Sequence, residues 1–204
     1  MIHLIGSGGH CKVVIEALLA SGVSAATLII RDGNSARQGQ HLMGVEIACP
    51  EIDHTVAGDH VHVAIGDCAT RARFYEAAAT IECRPYSVIH PSAMISPSAE
   101  IGEGSLVAAG AIIGPLARIG KGCIINHGAI IDHDCHVGDY CHIAPNATLG
   151  GGVVIGDAVL VGSGATILPM VSVGSKAVVG AGTIITRAVP SGQIWFGNPA
   201  KKQA

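Results

Sequence analysis

From residue 89 to residue 190 an aliphatic side chain opens every sixth position, seventeen times without an insertion, from Ile89 and Ile95 to Val179 and Ile185. The fifth slot of each hexad is Ala, Ser, Cys, Thr or Val, and the second is Gly in nine of them. A fixed six-residue period predicts a parallel β-helix. Three hexads close one triangular coil, so residues eighteen apart stack at about one strand spacing, ~4.8 Å. The openers then point inward as aliphatic ladders and the small fifth residues face the crowded interior near the corners. Glycine in the second slot fits tight backbone geometry that a Cβ would hinder. Seventeen hexads make between five and six coils, about 27 Å of stack.

Ahead of the hexads the period changes. Residues 2–5 read as a strand running into Gly6-Ser7-Gly8-Gly9-His10 and a helix over 12–20. Residues 26–30 read as a second strand ending at Arg31-Asp32, and 33–44 as a polar loop. Residues 60–65, apolar at alternate positions, give a third strand ending at Gly66-Asp67, followed by a helix over 70–79. Strands alternating with helices predict a small parallel, Rossmann-like α/β unit. The expected division is 1–85 for that unit and 86–204 for the prism with its tail, which carries the only Trp.

With 49% hydrophobic residues and a mean hydropathy of +0.49 the chain has the bulk numbers of a membrane protein. Yet no uninterrupted apolar run reaches the roughly eighteen residues a span requires, so the hydrophobicity belongs to the prism core and no membrane insertion is expected. Residues 1–5 enter a glycine turn with no basic segment or cleavage site, unlike a secretory signal. A formal net charge of −3 argues against a nucleic-acid partner. The seven cysteines contain no C-x-x-C pair, and Cys123, Cys135 and Cys141 occupy fifth slots as small apolar fillers. A reduced, cytoplasmic chain is expected.

Two stretches carry chemistry. Glycines between a strand and a helix let backbone N–H groups approach a phosphate, and Asp32 ends the next strand where a dinucleotide fold reads ribose or base. Cys11 stands where a third Gly of the full fingerprint belongs, so nucleotide binding and a plain tight turn both stay open. The second stretch holds His127, His133, His136 and His142 among Asp132, Asp134 and Asp139, inside a zone from 122 to 175 without Lys or Arg. None of the four occupies an inward slot, so all are expected to point outward. A carboxylate beside an imidazole fixes its tautomer and raises its basicity, as a general base requires; subunit contact and solvated surface are the alternatives. Trimeric carbonic anhydrases also use hexad prisms, but their motif has two histidines five apart and no pair here does. No metal is expected.

The run Asn126-His127-Gly128-Ala129-Ile130-Ile131-Asp132-His133-Asp134-Cys135, followed by Gly138-Asp139-Tyr140-Cys141-His142-Ile143-Ala144-Pro145, resembles the sugar-nucleotide N-acetyltransferases. That group takes in bacillosamine-pathway and perosamine enzymes and the related sialic acid O-acetyltransferases. Gly8-Gly9-His10-Cys11-Lys12, Ala64-Ile65-Gly66-Asp67 and the closing Gly197-Asn198-Pro199-Ala200-Lys201 carry it across the chain. The resemblance implies a left-handed helix, acetyl-CoA as co-substrate, a nucleotide-linked amino sugar as acceptor and a homotrimer with sites between prisms. It implies that His133 takes the proton of the attacking amine, that Asp134 raises its basicity, and that Asn126 lies near the substrate. Gly8, Gly9, His10, Asp32 and Gly66 would cradle the nucleotide-sugar, and His142, Ser163, Ala181 and Lys201 would contact acetyl-CoA. Relatives often have acidic residues at both 31 and 32, whereas this chain has Arg31, leaving the carrier open among UDP, GDP and dTDP.

Gly151 lies eighteen residues beyond His133 and so stacks directly above it, in the run Gly150-Gly151-Gly152. Its N–H is a candidate oxyanion donor; plain turn glycines are the alternative. Lys176, Arg187, Lys201 and Lys202 gather toward the C-terminal end, where the anionic nucleotide end of acetyl-CoA is expected. The rival functions are O-acetylation of a sialic acid-type sugar, a zinc-dependent hydratase and a non-catalytic trimeric scaffold.

Overall fold

In the computed structural model, which describes residues 1–198 and 200–203, the hexads and the tail wind into three sheets of mostly two-residue strands, parallel except for the antiparallel closing strand Lys201–Lys202. The first face has eight strands, rising from Val88–Ile89 through Leu106–Val107, Ile124–Ile125, His142–Ile143, Leu160–Val161 and Val178–Val179 to Ile194–Phe196 and Lys201–Lys202. The second face has six, from Met94–Ile95 to Ile184–Ile185, and the third five, from Glu100–Ile101 to Ser172–Val173. Partners are eighteen residues apart in strict register, as in Ile113 with Ile131 and Val137 with Ile155. The result is a left-handed parallel β-helix.

The openers from Val107 upward are buried and, with the small fifth-slot residues, form one core reaching Trp195. The lowest openers depart from the expected ladder. Ile89 is 41% exposed, and Ile95 and Ile101 are only partly covered, because no coil lies beneath the first. The second-slot glycines are forced by crowding between coils: a Cβ on Gly102 would stand 2.5 Å from the Gly120 carbonyl carbon. The left-handed conformation falls in the fourth slot instead, where even Leu116, Asp134, Tyr140 and Met170 have positive φ. Ile131, at the centre of the ladder with no exposure, gives one stability prediction. Ile131→Ala lowers the unfolding free energy by about 2–5 kcal/mol, read from urea unfolding.

The N-terminal unit is a six-stranded sheet in the order β3-β4-β2-β1-β5-β6. Its strands are β1 (Ile2–Ile5), β2 (Leu28–Arg31), β3 (His41–Leu42), β4 (Val45–Ala48), β5 (His60–Val63) and β6 (Arg84–Pro85). Its helices are α1 (Gly9–Ala20) and α2 (Cys68–Thr80). Helix α1 starts three residues earlier than its apolar pattern suggests, with Gly8 extended at the N-cap. Helix α2 starts two earlier, where the Asp67 carboxylate accepts from Thr70 N at 2.8 Å. The polar loop over 33–44 in fact holds β3, which turns at Met43-Gly44, both at positive φ, to pair antiparallel with β4. Positive φ at both central residues suits the twist of a two-residue hairpin.

The unit packs on the first face of the prism. Leu4, Cys11, Val14, Ile15 and Leu18 share one apolar cluster with Val88, Leu106 and Ile124. Tyr75 of α2 donates to Gly104 O at 2.7 Å and accepts from Val63 N at 3.1 Å. Those two bonds tie the end of β5 to the prism at Gly104, two storeys below the hexad that carries His142.

Candidate active site

His133 occupies the corner between the second and third faces. The next residue, Asp134, has φ +59, which swings its carboxylate back to His133 Nδ1 at 2.7 Å. A carboxylate only accepts, so Nδ1 carries the proton and Nε2 keeps its lone pair. His136 Nδ1 donates to Asp134 O at 3.2 Å and the Asp132 carboxylate accepts from His133 N at 2.7 Å, so both members of the pair are held from outside. The hydrogen bond to Asp134 and then the charge of Asp132 raise the His133 pKa above its ordinary 6.5. Above His133 lies Gly151, as the eighteen-residue spacing demands. A Cβ there would stand 2.6 Å from both Cε1 and Nε2 of the imidazole. The free nitrogen therefore lies against bare backbone, and Gly151 N–H donates to no acceptor among the described residues.

The second cluster lies where the N-terminal unit covers the first face. His142 Nδ1 donates to Gly66 O at 3.1 Å, and its Nε2 lies 3.1 Å from Asn126 Nδ2. The His10 ring is 6.1 Å from that of His142. His133 and His136 project outward into the open, and His142 also projects outward from the prism, but the turn after β5 closes over it and leaves it half-buried. Burial and then the Arg71 charge drive His142 down to about 4, and burial drives His10 down to about 3. Beside them runs a groove of about 770 Å³ between the first turns of α2 and the upper strands of the first face, lined by Gly66, Cys68, Ala72, His142, Leu160 and Lys176.

The glycine turn is open: nothing lies within 4 Å of a Cβ built on Gly8 or Gly9. Asp32 is tied to this turn, accepting from Ser7 N at 3.1 Å, Asn34 N at 2.8 Å and the Ser7 hydroxyl. Burial favours its neutral form, but the hydrogen bonds outweigh it and leave the pKa lowered. Arg37 Nη1 donates to Ser7 O at 2.9 Å, placing a cation beside the glycines that the sequence did not single out. Arg31 points elsewhere. It is 7% exposed and its guanidinium is held by Asp53 at 2.9 Å and Thr55 at 3.3 Å.

Ser163 and Ala181 share the corner between the first and second faces, with Gly182 N donating to Ser163 O at 2.8 Å. Lys201 pairs with Phe196 at the top of the first face, and Pro199 of the closing motif lies outside the described residues. Around one coil, the four histidines are therefore spread over the prism. His142 lies on the first face, and His133 on the corner opposite it.

The PglD N-terminal domain signature matches residues 1–78, the bacterial transferase hexapeptide signature (six repeats) 117–151, and the hexapeptide repeat of succinyl-transferase 152–187. The UDP-N-acetylbacillosamine N-acetyltransferase of Bacillus subtilis (strain 168) is 35% identical over 110 residues, 53% of this chain and 51% of that protein. The match thus spans about half the length of that curated relative. The structure superposes on that of PerB, the perosamine N-acetyltransferase of Caulobacter crescentus, in complex with CoA and GDP-perosamine. The TM-score is 0.93 and the identity 36%, over 100% of this chain and 97% of that one. The chain belongs to the sugar-nucleotide N-acetyltransferase family. The acetyltransferase domain of PglB from Neisseria gonorrhoeae FA1090, in complex with acetyl coenzyme A, is a further member at TM-score 0.90, with 34% identity over 99% and 98% of the two chains.

As a family member the chain combines the PglD-type α/β unit with the hexapeptide prism, as its motifs implied. All seven cysteines are free. Among the described residues no helix is long and apolar enough to cross a membrane, and no three His, Cys, Asp or Glu side chains converge as a metal site would require. The site residues that sequence reasoning missed are Arg37, beside the glycine turn, and Arg71, at the heart of the second cluster.

Proposed function

We propose that the chain transfers the acetyl group of acetyl-CoA directly to the amine of a nucleotide-linked amino-deoxy sugar, with His133 as general base. The observation that carries this reading is the His133 imidazole, protonated at Nδ1 by its contact with Asp134 and presenting a free Nε2 beside the bare backbone of Gly151. As the amine nitrogen bonds to the thioester carbon, Nε2 takes its proton and Gly151 N–H meets the oxyanion. When the intermediate collapses the C–S bond breaks, and the imidazolium returns the proton to the departing sulfur. Gly8, Gly9, His10, Asp32 and Gly66 hold the nucleotide-sugar, Asn126 lies near the substrate, and His142, Ser163, Ala181 and Lys201 hold the cofactor.

His133 and His142 lie on opposite sides of one prism, so a site using both is built from two copies. The second face supports this reading. It exposes Met94 at 67% and also Ile112 and Ile130, and beside the His133 corner Leu116 and Met170 stand out at 58% and 81%. A neighbouring prism would cover these apolar residues, and closing the triangle makes a homotrimer. The carrier is GDP in the Caulobacter complex and UDP in the name of the Bacillus relative, so both belong in the test. Release of CoA thiol is measured with UDP-, GDP- and dTDP-linked amino sugars. Turnover on one carrier is expected; turnover only with a hydroxyl acceptor would replace the reading with O-acetylation.

A further inference from the structure

Arg71 of α2 is 1% exposed, and all its hydrogen bonds go to main-chain carbonyls. Nε reaches Gly122 O at 2.7 Å, and Nη1 reaches Ile65 O and Gly66 O at 2.9 Å each. Nη2 reaches Tyr140 O at 2.6 Å and Cys141 O at 3.1 Å. No carboxylate pairs with it among the described residues. Burying a cation without a counter-charge is expensive, and an apolar contact would join the two units at lower cost, so adhesion alone does not account for it.

The Gly66 carbonyl shows what else it does, because it also receives His142 Nδ1 at 3.1 Å. A carbonyl only accepts, so Nδ1 carries the proton and the neutral ring has its lone pair on Nε2. Asn126 Nδ2 must then donate to Nε2, at 3.1 Å. The amide cannot turn over, because its Oδ1 already receives His127 N at 2.9 Å. We infer that Arg71 is the positioning residue of this site, fixing through the Gly66 carbonyl the Nδ1–H form of His142, whose Nε2 lone pair is then taken by Asn126 at the edge of the groove. What His142 meets there rests on the acetyltransferase reading; its tautomer does not.

The groups around His142 are His10 of α1, His62 of β5, Arg71 and Glu76 of α2, Asp67 at the α2 N-cap, and Lys176 across the groove. Arg71 is a cause of lowered basicity in His10, His62 and His142 alike. His142 therefore stays uncharged over the range in which His133, lifted by Asp134, gains and loses its proton.

The test is ¹⁵N NMR of the His142 ring in the ligand-free protein, beside the pH profile of kcat/KM. Wild type is expected to show a neutral Nδ1–H ring at pH 6, and Arg71→Lys to keep it. Arg71→Met is expected to populate Nε2–H and to titrate at higher pH. Its kcat/KM then falls further than wild type on the acid side, because losing the Arg71 charge lets the His142 titration move up from about 4 toward the working range. A folded Arg71→Met with the wild-type His142 spectrum would reduce Arg71 to a clamp and overturn the inference. If that variant does not fold, wild type alone decides, because a charged or Nε2–H ring at pH 6 overturns it equally. Absence of turnover in wild type counts against the acetyltransferase reading and leaves the tautomer test standing.

Discussion

His133→Ala leaves a folded protein whose turnover drops about a thousandfold, the middle of the range for a lost general base. The side chain is exposed, so its removal opens no cavity and the thermal midpoint stays where it was. A base works only when neutral, so the acid limb of kcat/KM falls at the His133 pKa. Asp134 and Asp132 raise that pKa above 6.5, and the limb therefore lies higher than the 6.5 an unperturbed imidazole would give. Asp134→Asn removes the largest of these influences. Its limb moves down toward 6.5, so relative to its own plateau the variant keeps more activity at low pH while its maximum falls. A rate that stays flat from pH 5 to pH 8 in wild type would exclude His133 as the base.

Gly151→Ala carries the second large effect, about a hundredfold in kcat. Its φ is not in the left-handed region, so the backbone accepts alanine, and the new methyl meets the imidazole instead. With Cε1 and Nε2 each 2.6 Å from that methyl, His133 must swing away from its working position. Displacing a catalytic group by about 1 Å costs on the order of a hundredfold. The Gly151 N–H survives the change, so alanine tests the imidazole position, whereas Gly151→Pro removes the donor as well and should fall further. If Gly151→Ala turns over at the wild-type rate, the imidazole has a second working position and the stacked geometry carries no catalytic weight.

The prism was legible because one period governs it. An opener that must be aliphatic and a fifth slot that must be small leave a mark at every turn, and counting by eighteen from His133 leads straight to Gly151. The α/β unit showed three of its four-residue strands and missed the fourth, Val45–Ala48. His41–Leu42 and Arg84–Pro85 are two residues long and owe their conformation to partners elsewhere in the chain, so local pattern says nothing of them. Outward projection of His142 followed correctly from its slot, but the covering unit is a tertiary fact. Arg71 was invisible for the same reason. On a helix surface an arginine reads as solvated, and nothing local marks carbonyls as far as Gly122, Tyr140 and Cys141 as its partners.

A stack without insertions is also an indexing device. Removing eighteen residues lowers everything above the cut by one storey and leaves each side chain facing the same way. Removing six turns the upper storeys through a third of a revolution. After such a cut above Gly152, Ser163 and Ala181 would look out from a different wall than His127 and Pro145 below them, while every hexad still matched its motif. Length changes in this half of the molecule therefore keep every side chain on its own wall in steps of eighteen and move it to another wall in steps of six, although the repeat itself is blind to the difference.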